Sequence, residues 1–414
     1  MMIREKHDIA IIGGGPAGLA AAIAAKKAGS GDIVLIERDR VLGGILGQCI
    51  HDGFGLYAFG EALSGPEYAA RYIEMAEELG ICVMENTIVL NLSGDKVLRV
   101  SRGGEIKEIE ASAVILAMGC RERTRGALSI PGDRPAGVYT AGMAQNLVNM
   151  ENIMPGRHVC ILGSGDIGLI MARRMTLEGA KVEAVFEILP YSSGLPRNIR
   201  QCLDDYGIPL YLSTTVTDIR GSGRLEEITV MEVDDKRAPI PGTERNIKCD
   251  TLLLSVGLIP ENELSREAGV PIDNTTQGAL VDEACMTGID GIFACGNVLH
   301  VHDLVDFVSE EASRAGASAS EYVRGLKTEG KSECDTKVSA GEGVRYVVPQ
   351  KIGRFGEVKL AFRVSSPSRN GIVEISADGR VIKQETHARL HPAEMVWVSI
   401  ENESGTKELE VRVR

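Results

Sequence analysis

No Cys-x-x-Cys pair occurs in this 414-residue chain, although it carries nine cysteines, at 49, 82, 120, 160, 202, 249, 285, 295 and 334. That excludes a zinc ribbon and an iron–sulfur binding run, and so scattered a set in so long a chain does not form a secreted disulfide framework. A reduced, cytoplasmic setting is the expectation. Positive charge is also in deficit: the net charge of −13 argues against nucleic acid or an anionic membrane as partner. No uninterrupted apolar run reaches the eighteen or so residues of a membrane span. Arg4 and Lys6 before the apolar stretch Ile9–Ala25 have the outline of a signal peptide, but Gly13 to Gly15 and Pro16 break it in the middle, so no targeting segment is expected.

What is present explains those glycines. A fingerprint occurs twice: Gly13-Gly14-Gly15-Pro16-Ala17-Gly18 and Gly163-Ser164-Gly165-Asp166-Ile167-Gly168. Each follows an apolar run (Asp8–Ile12; His158–Leu162) and opens a helical stretch, and each first glycine is followed 24 residues later by an acid, Glu37 or Glu187. In a G-x-G-x-x-G turn the first glycine permits the tight turn, the second lets backbone approach a pyrophosphate, and the third lets helix pack on strand. The helix N-terminus offers free N–H groups to phosphate, and the acid accepts hydrogen bonds from a ribose 2′-OH while repelling a 2′-phosphate. Ordinary βα turns that need glycine for sterics alone are the competing reading. Two matched copies favour two dinucleotide sites, the second selecting NAD over NADP, although Arg197 and Arg200 lie where a 2′-phosphate could be met.

Further strands are expected at 33–36, 81–90, 96–101 and 113–119, with Tyr68, Tyr72, Met75 and Leu79 on one face of a helix over 66–79. A second unit from Pro155-Gly156 repeats the plan and closes on the apolar strand 250–257. Helical character spans 304–324, and 326–343 reads as a linker. From Arg345 the pattern changes to period two, and Asp378-Gly379 between two such runs is a hairpin signal. The expected fold is α/β: two Rossmann-like three-layer dinucleotide-binding domains, one inserted in the other, plus a small C-terminal all-β domain. The boundaries expected are 1–150 with 270–330, 151–269, and 345–414.

With both fingerprints, Ala117-Met118-Gly119, Val256-Gly257 and Cys295-Gly296-Asn297, residues 7–325 resemble the FAD- and NAD(P)-dependent flavoproteins of the glutathione and thioredoxin reductase superfamily. The strings 43–55 and 295–306 resemble a branch containing flavoprotein subunits of opine oxidase, hydrogen cyanide synthase and dye-linked proline dehydrogenase, and oxidoreductases associated with glycerol-3-phosphate dehydrogenase. The resemblance implies that Gly13, Gly15, Pro16, Ala17, Gly18, Glu37, Arg38, Gly44, Gln48, Gly119, Gly296 and Asn297 surround FAD. It assigns Gly163, Gly165, Asp166, Ile167, Gly168, Glu187 and Gly257 to NAD(H). As partner it implies a small-molecule redox substrate and a second flavoprotein or an iron–sulfur electron-transfer subunit, and oligomers.

The sequence departs from the superfamily at two points. Aligned on Gly43-Gly44, the redox cysteine pair of the disulfide reductases is replaced by Leu46 and His51, so dithiol relay chemistry is excluded there. Asn297 stands where the superfamily usually has Asp. Cys49 and His51 remain the catalytic candidates of that loop, each weighed against a packing role. His300 and His302, with Asp303 and Asp306, superficially suggest a metal; but histidines two apart share no helix face, and no metal is expected. Arg121, Arg123 and Arg125 read as a solvated or nucleotide-edge cluster. The expected function is an FAD-dependent oxidoreductase exchanging hydride with NAD(H) without a redox disulfide. A free-standing NADH oxidase or diaphorase, and a non-catalytic flavin-binding or redox-sensing subunit, stay open beside it.

Overall fold

The computed structural model describes residues 4–325 and 335–414. The first part of the expected linker, 326–334, and Cys334 with it, lie outside the described residues. The chain divides into two compact units: one runs up to Cys120 and resumes at Pro260, and the other spans Arg121–Ile259.

In the first unit, the runs Ile9–Ile12 and Ile33–Ile36 are apolar without alternation, the pattern of strands covered on both faces. They form parallel strands, Arg4–Ile12 and Ile33–Ile36, at the heart of a seven-stranded sheet. Ile9 pairs with both Ile33 and Ala113, and Ile12 with Ile36 and Leu116. Cys82–Met84 and Ile292–Ala294 add further parallel strands, the latter beside Val114–Leu116. The first half of Glu105–Leu116 continues as an antiparallel meander with Val97–Arg102 and Thr87–Leu92. The helices Pro16–Lys27 and Val305–Val323 share one core with the sheet, Leu19, Ala20 and Ala312 packing against Ile9, Ile11 and Leu35. Gly65–Glu78 is the expected third helix, started by a Ser64/Glu67 capping box.

The period-two segment in the same unit folds as two sheets around one core. Strands 351–352, 336–340, 408–413, 368–377 and 380–390 form one sheet, and 344–348, 356–364 and 396–402 the other. Phe362, Leu360, Ile375 and Val411 fill the space between them. Asp378 and Gly379 both take positive φ, +48° and +83°, the requirement of a tight two-residue hairpin turn. This sandwich is tied to the rest of its unit by Gln350, whose N–H donates to Val281 O and whose Oε1 accepts from Val281 N–H. Gly353 N–H adds a bond to Glu283 at 2.7 Å.

The second unit holds a five-stranded parallel sheet in the order 138–140, 251–254, 158–162, 181–186, 210–211. An antiparallel sheet of 214–220, 227–232 and 245–248 accompanies it. The boundaries therefore differ from the sequence reading. Val138–Thr140 pairs with Leu252–Leu254, so 121–150 belongs to the second unit rather than the first, and Pro260–Gly269 returns to the first. The β domain starts earlier than 345, because Thr336–Ala340, read as linker, pairs with Glu408–Val411. Neither segment has a strong apolar signature of its own; pairing to a distant strand decides both.

Candidate functional site

In the first fingerprint the turn sits between the strand ending at Ile12 and the helix opening at Pro16, a residue with no N–H to leave unsatisfied at that position. A side chain at Gly13 would collide with the Ala117 carbonyl, and one at Gly18 with the Gly13 carbonyl, so packing accounts for both glycines. It does not account for Gly15. The nearest atom to a Cβ there is Gly44 Cα at 3.9 Å, and φ −76° suits any residue. Glu37, at the end of its strand and 5% exposed, accepts the Gly14 N–H at 2.6 Å on Oε2 and the Asp39 N–H at 2.8 Å on Oε1. Arg38 is exposed, Gln48 is buried in the turn Gly44–Gln48, and Gly119 takes positive φ with no atom within 4 Å of a Cβ position.

The second fingerprint repeats the strand–turn–helix plan, but its middle glycine is less open: a Cβ on Gly165 would lie 3.2 Å from Ser255 Oγ. Gly163 and Gly168 are again required by packing, both against Ser255. Glu187, 4% exposed, accepts the Ser164 N–H at 3.0 Å and the Leu189 N–H at 3.0 Å, matching Gly14 and Asp39 of the first copy. Two hydroxyls join them, Ser164 Oγ at 2.5 Å and Ser193 Oγ at 2.9 Å, both on Oε2. Asp166, the first residue of helix Asp166–Leu177, accepts from Leu195 N–H and Asn198 Nδ2. Ile167 is half-buried on that helix, and Gly257 takes positive φ with open space beside it. Arg197 and Arg200 lie on the exposed side of helix Pro196–Cys202.

Back in the first unit, the turn Gly296–Val298 is held from below by Glu311, whose Oε1 accepts the Gly296 N–H at 2.8 Å. The same carboxylate meets His300 Nε2 at 2.7 Å and His302 Nε2 at 3.2 Å, all three side chains fully buried. Burial opposes the charge on Glu311, but the two imidazoles outweigh it and hold the carboxyl well below its usual range. Desolvation lowers the pKa of His300, with the carboxylate pulling the other way. The donor types would suit a divalent cation, yet both Nδ1 atoms lack the second acceptor that a ligating histidine orients against, and hydrogen bonding to Glu311 accounts for the cluster. Asn297 turns its Oδ1 to the His302 N–H at 3.0 Å and its Nδ2 to Cys120 Sγ. The sandwich reaches this turn through Arg363, which donates to Val301 O at 3.0 Å, and through Trp397, whose ring stacks beside His302.

Cys49 donates its thiol to Ile45 O at 3.3 Å, and burial pushes it up to about 12, the opposite of an activated thiolate. His51 packs its ring 5.1 Å from Phe54. In the arginine cluster, Arg125 donates to the carbonyls of Ile130, Pro131 and Asp133 and closes its own loop, rather than standing free at a nucleotide edge. Sequence reasoning missed Glu311, Ser193 and Arg363. A carboxylate inside a helix, a serine in a loop and an arginine in a strand carry no local signal.

Residues 7–319 of the chain, which hold both fingerprint turns and the buried acid beside each, match a known family: pyridine nucleotide-disulphide oxidoreductase. The chain belongs to this family. Its members are FAD- and NAD(P)-dependent oxidoreductases. It is 28% identical over 285 residues to hydrogen cyanide synthase subunit HcnB of Pseudomonas aeruginosa, covering 63% of this chain and 59% of that one. It is 30% identical over 304 residues to the ferredoxin–NAD(+) reductase subunit of the benzene 1,2-dioxygenase system of Pseudomonas putida, covering 70% and 67%. The chain thus spans about three-fifths of the length of relatives such as HcnB. In fold it matches thioredoxin reductase of T. acidophilum with a TM-score of 0.63 at 22% identity, over 78% of this chain and all of the other. Among the described residues no helix is long and apolar enough to cross a membrane.

Proposed function

We propose that this family member carries FAD on the first fingerprint and NAD(H) on the second, and exchanges hydride between them without a redox disulfide. The observation that carries the reading is Gly15: nothing in the protein's own packing requires a glycine there, while a pyrophosphate approaching the backbone would. Gly13, Pro16, Ala17 and Gly18 would shape that turn, Glu37 with Arg38 beside it would face the adenosine ribose, and Gly44, Gln48, Gly119, Gly296 and Asn297 would line the rest of the flavin. Gly163, Gly165, Asp166, Ile167, Gly168 and Gly257 would form the nicotinamide-nucleotide site. Glu187 would accept the ribose hydroxyls and repel a 2′-phosphate, which favours NAD(H) over NADP(H).

FAD held by these residues would supply a two-electron centre for hydride exchange with a nicotinamide, chemistry that needs no side-chain acid or base. The chain's residues bind, orient and exclude water. The raised thiol of Cys49 and the absence of a second cysteine in that loop leave dithiol chemistry out of this reading. A redox substrate or a second electron-transfer subunit in the cytoplasm would take or supply the electrons, as the names of HcnB and the benzene dioxygenase reductase suggest for those proteins. The test is cofactor analysis with donor preference. The reading expects one FAD released per chain on denaturation, and a kcat/KM for dye reduction at least tenfold higher with NADH than with NADPH. Absence of flavin, or preference for NADPH, would refute it.

A further inference from the structure

The two fingerprints differ in one respect that packing does not explain. Glu37 receives two backbone N–H donors and keeps acceptor capacity on both oxygens. Glu187 receives the same two, plus two hydroxyls, and three of its four donors converge on Oε2. A carboxylate oxygen offers about two lone-pair sites, so Oε2 is saturated before any ligand arrives.

We propose that Ser193 is a specificity-determining residue of the second site: its hydroxyl occupies the position of a ribose hydroxyl on Glu187 and must leave for the nucleotide to bind. This rests on the assignment of NAD(H) to that site. Of the donors on Oε2, Ser164 N–H and Ser164 Oγ belong to the fingerprint itself, and Ser164 is fully buried. Ser193 comes from the loop 191–195 and is only half-buried, so it is the donor that can be exchanged. The loop is latched at several points. Ser193 N–H donates to Ser164 Oγ at 2.9 Å, and Ser192 Oγ to Ser164 O at 3.4 Å. Gly194 passes so close that a Cβ would lie 2.6 Å from Ser164 O. Leu195 N–H and Asn198 Nδ2 hold Asp166 at the opening of the helix. The occupant that fits is a vicinal diol with donors at the spacing of a carboxylate, as in an adenosine ribose. A 2′-phosphorylated ribose keeps one donor, the 3′-hydroxyl, but sets an anion against Glu187 in place of the other, and so gains far less from Ser193 leaving.

Calorimetric titration of the flavin-loaded protein with ADP-ribose and with 2′-phospho-ADP-ribose tests this, since neither ligand can be reduced. In Ser193→Ala the internal competitor is gone, and one hydrogen bond to a charged group sets the scale of the gain. ADP-ribose is expected to bind roughly ten- to a hundredfold tighter than to wild type, with 2′-phospho-ADP-ribose far less affected. Ser192→Ala, which leaves Glu187 untouched, is expected to leave the ratio of the two ligands at its wild-type value. Equal or weaker ADP-ribose binding in Ser193→Ala overturns the proposal, and so does an equal gain for both ligands, which marks a merely loosened loop. If wild type and variants all fail to bind ADP-ribose while FAD is retained, the NAD(H) assignment fails and the proposal falls with it.

Discussion

Replacing Gly15 by alanine separates a glycine kept for a ligand from glycines kept for packing. With φ −76° and ψ −172° the backbone accepts an L side chain, and the nearest atom to the new methyl is 3.9 Å away. The ligand-free protein should therefore change little in stability, the stiffer unfolded chain, about 0.4–1 kcal/mol, offsetting the poorer helix N-cap that alanine makes. Gly18→Ala, in contrast, drives its methyl into the Gly13 carbonyl, which backbone cannot yield, and should cost at least about 1–3 kcal/mol. FAD binding should respond the other way round. A methyl intruding on the pyrophosphate costs roughly 1–3 kcal/mol, or about five- to 150-fold in Kd. Thermal unfolding of stripped protein and FAD titration of each variant together decide the matter. Gly15→Ala retaining wild-type FAD affinity, or unfolding in its stripped form as easily as Gly18→Ala, would refute the reasoning.

Other outcomes follow from the same geometry. Glu187→Gln removes the charge that excludes a 2′-phosphate, so the NADH-to-NADPH ratio of kcat/KM should fall by about tenfold or more. The folded-state pKa of His300 is depressed, so its contribution to stability is present above the unfolded value of 6.5 and lost as pH falls below it. Denaturant midpoints should drop from pH 7 to pH 5.5, and His300→Gln should flatten that slope. Cys49, with its thiol near 12, should resist alkylation at pH 8 while exposed Cys82 reacts, as read by mass spectrometry of quenched samples. Arg363→Met loses charge-assisted bonds to Val301 O and Pro392 O, and should destabilise the first unit by about 2–4 kcal/mol in chemical denaturation.

The two turns were legible because their constraints are local: a strand, a close approach at Gly13 and Gly18, and an acid at fixed distance. The hairpin at Asp378-Gly379 was legible for the same reason, since two adjacent residues must take positive φ. What escaped depends on distant partners. His300 and His302 do share a partner despite their spacing, because they lie on an extended turn rather than on a helix, and the partner, Glu311, comes from the next helix. Val138–Thr140 becomes a strand by pairing with Leu252–Leu254, and Thr336–Ala340 by lying between Lys351–Ile352 and Glu408–Val411. Ser193 matters through one oxygen of Glu187, which no spacing rule describes.

The central claim is hydride exchange between two nucleotides held by one chain, and single-turnover mixing under anaerobic conditions tests it most directly. NADH mixed with the flavin-loaded protein should bleach the flavin absorbance in one fast phase, slowed by deuterium at the nicotinamide C4. Flavin that stays oxidised in the presence of NADH, or bleaching that appears only with NADPH, would contradict the account.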